Sequence, residues 1–223
     1  MQIIDKETLL FAFLGEMANK SPFTKEFNKI FALKELNASY IPLNIRDDDI
    51  LFTVNGLKKS QIRGVNIARE YQNETLTLLD SYSDEVEKCG FVESIKIENG
   101  KLHGFVSIGK AINSLTNKKI AVFGSNDIAK SIIFSATNIS NITIVEKYIE
   151  DSSKILENYP NLDVNFSDEK HIFDCSEYSL IVKLFEDDIF ISGDCEILDI
   201  SNEIPKKIRD IQHSIDLQEW LKI

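Results

Sequence analysis

Two short apolar runs that each end in glycine constrain the fold of this chain more than any other feature. They are residues 9–15, with the sequence LLFAFLG, and residues 120–124, with the sequence IAVFG. A continuous apolar run of this length is typical of a strand that is buried on both faces of a parallel sheet. A helical pattern follows each run, and the first opens with Ser21 as the N-cap and Pro22 at the first helical position. The alternation of strands and helices predicts an α/β fold.

The second apolar run marks the start of a second domain. A basic start at Lys118 and Lys119 leads into the strand, a helix begins within residues 125–132, and another strand follows over residues 142–146. This strand, turn, helix and strand are the expected context of a dinucleotide-binding fold. Further short strands are predicted at Val164 and over residues 172–173, 180–182, 189–191 and 197–200, with a last helix from about Glu203 to Leu221.

Composition and charge exclude several classes of function. The net charge is −11 and the pI is near 4.8, so the chain lacks the basic surface that a nucleic-acid binder needs. Small molecules or proteins are the expected partners, and a homodimer is compatible with these values. The cysteines Cys89, Cys175 and Cys195 lack metal-ligand spacing, which predicts a reducing, cytoplasmic location without a zinc site. No apolar run reaches the roughly 18 residues of a membrane span, and no signal-peptide pattern is present.

Four short motifs with fixed spacing lie between Gly64 and Gly109. They read GVNIAREYQ over residues 64–72, LD at 79–80, GFVES over 90–94 and GKLHGFVSI over 100–108. We call the order and spacing of these four motifs the motif frame. The motif frame resembles the shikimate dehydrogenase family, whose substrate domain carries G-x-N-V-T-x-P-x-K, L-D, G-A-V-N-T and G-x-L-x-G-x-N-T-D without gaps at these spacings. The resemblance implies NADP-dependent oxidation of shikimate in aromatic amino acid biosynthesis.

The catalytic pair of the family is not intact in this sequence. The family's catalytic Lys falls on Gln72, and its partner Asp falls on Ile108. An amide forms hydrogen bonds but does not titrate, and an isoleucine does neither, so proton transfer needs other groups. Arg69 and Lys110 are the first candidates for a substitute.

Part of the family's substrate-binding set is retained. Ser21 matches the first serine of the family's serine pair, Phe23 replaces the second, and Asn66 matches the asparagine of the first motif. Ser21 is equally well explained as a helix cap. Asn66 either bonds a substrate hydroxyl or ties its own turn at the end of a strand.

The last helix adds one more candidate. Gln212 and Trp220 keep the spacing of the family's Q-A-A-x-x-F-x-x-W, so the resemblance implies that Gln212 contacts substrate, and the other interpretation is an exposed helix glutamine. Glu93 replaces the family's substrate-binding Asn, and a carboxylate there would repel an acid. The acidic run at residues 47–49 is expected to cap the next helix rather than to hold a metal.

The cofactor-binding turn of the family is reduced. The family has G-A-G-G-A at this turn, whereas here Gly124 is followed by Ser125 and Asn126. Asp127 in the first helical turn is expected to occupy the amides that would bind pyrophosphate. Glu146 stands where an acidic side chain holds the ribose of NAD, or else it is a surface glutamate. NADP is the family's cofactor, and NAD or no cofactor is expected here.

Together these features predict two domains and leave three functions open. The predicted substrate-binding domain is residues 1–110 with 205–223, and the reduced Rossmann-like domain is residues 111–204, with the C-terminal helix returning to the first domain. The favoured function is a non-catalytic or strongly impaired homologue that binds a small hydroxy acid or another metabolite. The alternatives are an active NAD(P)-dependent dehydrogenase and an interaction or structural protein with a vestigial cleft.

Overall fold

The chain folds into two compact units. The computed structural model describes residues 4–167 and 172–222. Unit 1 is Met1–Ser107 with His213–Ile223, and unit 2 is Ile108–Gln212. The names given above to the two domains, one for substrate and one for nucleotide, remain predictions.

Unit 1 is built on a mixed sheet. Its elements are, in chain order, β1 Leu9–Gly15, α1 Phe23–Leu33, β2 Ala38–Asn44, α2 Ile50–Leu57, β3 Ile62–Ile67, α3 Gln72–Leu76, β4 Ser81–Tyr82, α4 Asp84–Cys89, β5 Ser94–Glu98 and β6 Lys101–Phe105. The strand order among the described residues is β2-β1-β3-β5-β6-β4. β1 pairs in parallel with β2 and β3, whereas β5 is antiparallel to β3 and β6.

The β5–β6 hairpin shows how the local sequence determines the turn. Asn99 and Gly100 connect the two strands, and both have positive φ, at 53° and 73°. Two successive left-handed residues make the turn whose twist matches a hairpin, and Asn-Gly is the favoured pair for it. The Asn99-Gly100 pair therefore accounts for the tight turn between β5 and β6.

The core of unit 1 is aromatic. Its buried members are Phe11, Phe27, Phe31, Ala38, Tyr40, Phe105, Leu217 and Trp220. Trp220 stacks on Phe11 with ring centroids 5.0 Å apart, and its indole N–H donates to the Ile95 carbonyl over 3.0 Å. Because Leu217 and Trp220 come from the last helix, that helix completes the core.

Unit 2 is built on a parallel sheet. Its elements are α5 Ile108–Asn113, β7 Ile120–Phe123, α6 Asp127–Ser135, β8 Ile142–Glu146, α7 Ile149–Asn158, β9 Asp163–Phe166, β10 Phe173–Asp174, β11 Leu180–Lys183, β12 Ile191–Ser192 and β13 Glu196–Asp199. The main sheet has the order β13-β11-β7-β8-β9 over the described residues, and β10 pairs separately with β12. Helix α8, Lys206–Leu221, begins in unit 2 and ends in unit 1.

The predicted α/β fold, with a reduced Rossmann-like part and a C-terminal helix that returns to the first part, is confirmed. Helix α7 was not predicted. The strand expected over residues 189–191 was placed too early, because Ile191–Ser192 forms the pair with β10. None of the described helices is long and apolar enough to span a membrane.

Residues 47–49 stand at the start of α2 as expected, with Asp49 at the N-cap position, but without the expected side-chain cap. These residues form a short 3₁₀ helix, and Asp49, which precedes α2, makes no side-chain cap hydrogen bond. Asp47 instead accepts a hydrogen bond from the Tyr71 hydroxyl over 2.8 Å. Burial, together with this bond and the negative charges of Asp47, Glu16 and Glu70, raises the pKa of Tyr71 to about 12.

Candidate functional site

The glycines of the motif frame are sites of close packing. A Cβ atom on Gly64 would lie 2.4 Å from the indole ring of Trp220, and one on Gly104 would lie 2.4 Å from Leu79. Such distances exclude any side chain at these strand positions. The spacing of the motifs therefore preserves the packing of β3, β6 and α8 in unit 1.

The LD pair of the frame also has a structural role. Asp80 accepts hydrogen bonds from the Leu102 amide over 2.9 Å and from the Lys58 ammonium over 3.0 Å. These two donors hold the pKa of Asp80 below its usual value. The pair attaches β6 to the segment before it.

Asn66 lies at the centre of a buried hydrogen-bond network in unit 1. Its Oδ1 accepts from the Tyr40 hydroxyl over 2.7 Å. Its Nδ2 donates to Ser94 Oγ over 2.6 Å and to Asp216 Oδ2 over 2.7 Å. The residue lies inside β3 and is buried. Asn66 lies one residue before the end of β3, close to the strand end that was predicted. The interpretation that it ties its own turn is wrong, because all three of these partners come from other elements.

Asp216 is the acidic member of this network. It is fully buried, and burial raises the pKa of its carboxyl to about 7, although hydrogen bonds with Asn66, Ser107 and Ser94 act in the opposite direction. The pKa of the neighbouring Tyr40 is raised well above its usual value, mainly by burial and secondarily by the charge of Asp216. The network therefore contains an acid that changes charge near neutral pH.

Glu93 is a second acidic residue of unit 1, and it lies next to Ser107. Its Oε2 accepts from the backbone amide of Ser107 over 2.8 Å, and the Ser107 hydroxyl lies 3.5 Å from the same oxygen. Glu93 is buried, with 7% of its surface exposed. A buried carboxylate thus stands at the position where the family has a neutral Asn.

Ser21 and Gln212, the other two residues predicted to bind substrate, lie in different surroundings. The Ser21 hydroxyl accepts from the Phe23 amide over 3.3 Å, which is a turn contact just before α1 begins at Phe23. The prediction that Ser21 is the N-cap is wrong, because Pro22 occupies the N-cap position and α1 begins one residue later than predicted. Gln212 is only 4% exposed on α8, so its interpretation as an exposed helix residue is wrong. A role in substrate binding remains a prediction for both residues.

The two residues on which the resemblance places the family's catalytic pair are an amide and an aliphatic side chain. The Gln72 side-chain amide donates to the Ile67 carbonyl over 3.1 Å, and Ile108 is fully buried. Both suggested substitutes, Arg69 and Lys110, are exposed.

In the turn after β7, the side chain of Asn126 forms hydrogen bonds with two backbone amides at the start of α6. Asn126 Oδ1 accepts from the amides of Ile128 over 3.0 Å and Ala129 over 3.3 Å. The expectation that Asp127 takes these amides is wrong, because its carboxylate instead pairs with Lys130 over 2.7 Å. A short-chain amide at the N-cap satisfies these donors without any ligand.

The remaining cofactor candidates lie near this turn. Gly124 has a φ of 107°, and a Cβ there would lie 3.3 Å from both Leu184 and Phe185. Ser125 is half-buried, and Glu146 is only 6% exposed, which contradicts its interpretation as a surface glutamate. The residues of this turn fit a dinucleotide pyrophosphate poorly, because Asn126 bonds two of the amides at the start of α6 and the flanking glycines are absent. Within the described ranges, no group of three or more metal-ligating side chains is assembled.

Sequence reasoning missed two members of the buried network. Tyr40 reads as part of an apolar strand, and its hydroxyl partner lies 26 residues away. Asp216 reads as a polar residue of an amphipathic helix, and its partner Asn66 lies 150 residues away. Its spacing of four residues before the buried Trp220, on the same helix face, was the one signal in the sequence.

Comparisons with known proteins agree with the observed fold and with the family resemblance of the four motifs. Residues 14–95 match the shikimate dehydrogenase substrate binding domain. The chain is 29% identical over 167 residues to the NADP(+) shikimate dehydrogenase of Methanococcus maripaludis, covering 69% of this chain and 58% of that enzyme. It is 25% identical over 160 residues to the enzyme of Pyrococcus furiosus, covering 69% and 59%. The chain thus spans less than two thirds of the length of these relatives.

A solved structure extends the comparison to the fold. Shikimate 5-dehydrogenase from Thermus thermophilus, in complex with NADP(H) and shikimate, superposes with a TM-score of 0.78 at 15% identity, covering 96% of this chain and 94% of that one. The substrate-domain match, the relatives and the shared fold lead to one conclusion. Residues 14–95 resemble the substrate binding domain of the shikimate dehydrogenase family, and the chain shares the fold of its solved members.

Proposed function

We propose that this protein binds a small polar metabolite in unit 1 and does not catalyse NADP-dependent oxidation of shikimate. The observation that carries the proposal is Gln72. Its amide stands at the position of the family's catalytic Lys and donates to the Ile67 carbonyl. A side chain that neither titrates nor carries charge cannot accept the proton that leaves a reacting hydroxyl.

The size of the expected loss follows from general acid–base catalysis. One positioned proton-transfer group contributes about 10²–10⁴ in rate, and in this chain both positions of the pair are changed. The fully buried Ile108 side chain has no polar atom to replace the second group. A cofactor turn whose amides are bonded by Asn126 lowers the expected activity further.

Retained polar residues support ligand binding. Ser21, Asn66 and Gln212 match family positions, and Asn66 lies among Tyr40, Ser94 and Asp216 in a buried network. Buried polar networks are costly unless all members are satisfied, so they are typical of sites with a specific role. The protein would then serve in regulation or as part of a complex.

The test of the catalytic part is a steady-state assay with shikimate or quinate and either NADP or NAD. We expect turnover to be undetectable or at least several hundredfold below that of the Methanococcus maripaludis relative, measured side by side. The double substitution Gln72→Lys and Ile108→Asp is expected not to restore activity, because the Asn126 cap is unchanged. A wild-type turnover number of roughly 1–10³ s⁻¹ would contradict the proposal.

A second candidate function is an interaction or structural protein that binds no metabolite. It is favoured by the internal bonding of Asn66, since both hydrogens of its amide nitrogen already have acceptors within unit 1. A thermal-shift screen with shikimate, quinate, NAD and NADP separates the two candidates. No shift with any of these compounds would favour the second.

A further inference from the structure

We infer that Cys175 and Cys195 of unit 2 form a reversible disulfide by exchange with a small-molecule disulfide such as oxidised glutathione. Both residues are free thiols in the structure, and the proposed function uses neither of them. This site lies in unit 2 and needs no ligand in unit 1, so it is independent of the proposed function.

The backbone brings the two cysteines close together. They are twenty residues apart in the sequence, but β10 and β12 pair in parallel, with Asp174 opposite Ser192. Cys175 comes directly after Asp174, and its amide donates to the Ser192 carbonyl over 2.9 Å. Paired strands lie about 4.8 Å apart, which is within the range of about 4.4–6.8 Å that disulfides span between Cα atoms. Two chain segments at this spacing can be joined by a disulfide.

The side chains of the two cysteines also meet. Gly193 has a φ of 103°, and this left-handed residue bends the chain just after β12. A Cβ on Gly193 would lie 3.0 Å from Cys175 Sγ, so this sulfur faces the segment that carries Cys195. Cys195 packs against the apolar cluster that contains Cys175, and a side-chain hydrogen bond joins the two thiols. The two sulfur atoms therefore lie next to each other.

Both cysteines lie outside the strands, where the backbone can adjust. Cys175 follows β10, and Cys195 precedes β13. To pass from contact to a covalent bond, the two sulfur atoms must approach each other by small shifts of the side chains and backbone. Irregular segments permit such shifts more easily than paired strands do. We therefore expect the disulfide to form without breaking the β10–β12 pair.

The two thiols have different roles in the exchange. Cys195 is partly exposed, whereas Cys175 is fully buried, so an external disulfide reaches Cys195 first. Cys195 loses its proton to solvent, and its thiolate attacks one sulfur of the reagent and releases the other as a thiol. Cys175 then gives up its proton and attacks the mixed disulfide at Cys195, which releases the second thiol. The protein loses two electrons and two protons, and the reagent is reduced to two thiols.

The surroundings of Cys195 make the exchange slow at neutral pH. Burial raises the pKa of Cys195 to about 12, and the hydrogen bond and charge of Cys175 and the charge of Asp194 act in the same direction. Only the thiolate attacks a disulfide, so a thiol with a raised pKa reacts slowly at neutral pH. The site is therefore expected to respond to sustained oxidising conditions rather than to a brief exposure.

A disulfide between these residues would restrain the segment beside the turn after β7. The closed loop would contain β11 and the two residues that follow it, Leu184 and Phe185. Both of these side chains lie 3.3 Å from the position of a Cβ on Gly124. Oxidation would thus act on the part of unit 2 that packs against the predicted cofactor turn.

The test follows the thiols of the full-length protein by mass spectrometry. Reduced protein is equilibrated at about pH 8.5, where more thiolate is present, with mixtures of oxidised and reduced glutathione. The reaction is stopped with acid, and the remaining thiols are labelled with N-ethylmaleimide in denaturant. The wild type is expected to lose two labelling sites and to yield a peptide pair linked through Cys175 and Cys195. Dithiothreitol should restore all three sites.

Three variants complete the test. Cys175→Ser and Cys195→Ser are expected to form no internal disulfide and to stop at the free thiol or at the mixed disulfide with glutathione. Cys89→Ala removes the third cysteine, which lies in unit 1, and is the matched control. This control should form the same linked pair as the wild type at the same glutathione ratio.

Three results would contradict the inference. They are a wild type that keeps all its thiols when oxidised glutathione is in large excess, a wild type that stops at the mixed disulfide, and a linked pair that includes Cys89. Circular dichroism identifies any misfolded variant. If the serine variants do not fold, the peptide map of the wild type and of Cys89→Ala still decides which cysteines are joined.

Discussion

The motif frame of unit 1 and the turn after β7 in unit 2 differ in what the chain has retained. In the frame, Gly64 and Gly104 persist because other side chains fill the space where a Cβ would stand. In the turn, Gly124 remains and the amides beyond it are bonded by Asn126. Packing explains the glycines of the first region, whereas in the second region a side chain of the turn bonds the backbone beside it. Likeness in a backbone frame therefore carries information about fold and little about chemistry.

The two regions also differ in how they satisfy polar groups. The turn in unit 2 uses neighbours in sequence, since Asn126 bonds amides two and three residues away. Unit 1 uses distant partners, with Asn66 bonded to Asp216 across 150 residues. Local bonds are restored easily after a substitution, but a buried long-range network depends on every member. Substitutions should therefore have larger effects in unit 1.

The largest effect is expected from Gly64→Ala. The new Cβ would overlap the Trp220 ring at 2.4 Å within a central strand, and overpacking of this kind lowers stability by up to about 3 kcal/mol. Urea unfolding is followed by tryptophan fluorescence, because Trp220 is the single tryptophan of the sequence and is buried in unit 1.

Gly56→Ala is the matched control for that substitution. A Cβ on Gly56, within α2, would meet nothing within 4 Å. Alanine there should raise stability by about 0.5–1 kcal/mol, through its higher helix propensity. Equal losses at the two glycines would show that packing against Trp220 is not what preserves the frame.

The next effect is the pH dependence of stability due to Asp216. Its folded-state pKa, raised to about 7 from 3.8, lies above the unfolded value, so the folded state binds more protons between these values. Stability from this group is present at low pH and is lost as pH rises toward 7. At 1.36 kcal/mol per pKa unit, the loss between pH 5.5 and 8 is about 2 kcal/mol.

The measurement compares urea midpoints of the wild type and Asp216→Asn at several pH values in that range. The difference between the two proteins isolates Asp216 from other groups, including the neighbouring Tyr40 and Glu219, which remain in both. We expect the stability of Asp216→Asn, relative to that of the wild type, to increase as pH rises. A constant difference across the range would mean that Asp216 does not titrate there.

The smallest effect is expected in unit 2, from Asn126→Ala. Loss of the cap should cost about 1 kcal/mol, while Asn126→Asp, which keeps an acceptor at the cap, should cost much less. Cofactor fluorescence on titration with NADPH and NADH gives a second readout. Micromolar binding by the wild type would show that the turn accepts a dinucleotide despite the cap.

Sequence patterns predicted the fold better than the site. The apolar runs ending at Gly15 and Gly124 determine strand positions through local burial, and the motif spacing gave the family frame. The partners of Asn66 were not predictable, because Tyr40 and Asp216 reach it only after the sheet and α8 have assembled. Similarly, the choice of Asn126 over Asp127 as the cap depends on backbone angles that the sequence does not specify.

Helix α8 has a consequence for the order in which the protein can fold during synthesis. The ribosome completes β1 to β6 first and then the whole of unit 2, and only afterwards makes Asp216 and Trp220. Until then, the space beside Gly64 and the amide of Asn66 lack the partners that fill and bond them. Unit 2 can close as soon as its own strands exist, whereas the nascent unit 1 exposes its unfinished aromatic core for the time needed to translate about 100 further residues, several seconds at usual rates. During that interval the nascent chain would be a natural client for a chaperone that shields apolar surface.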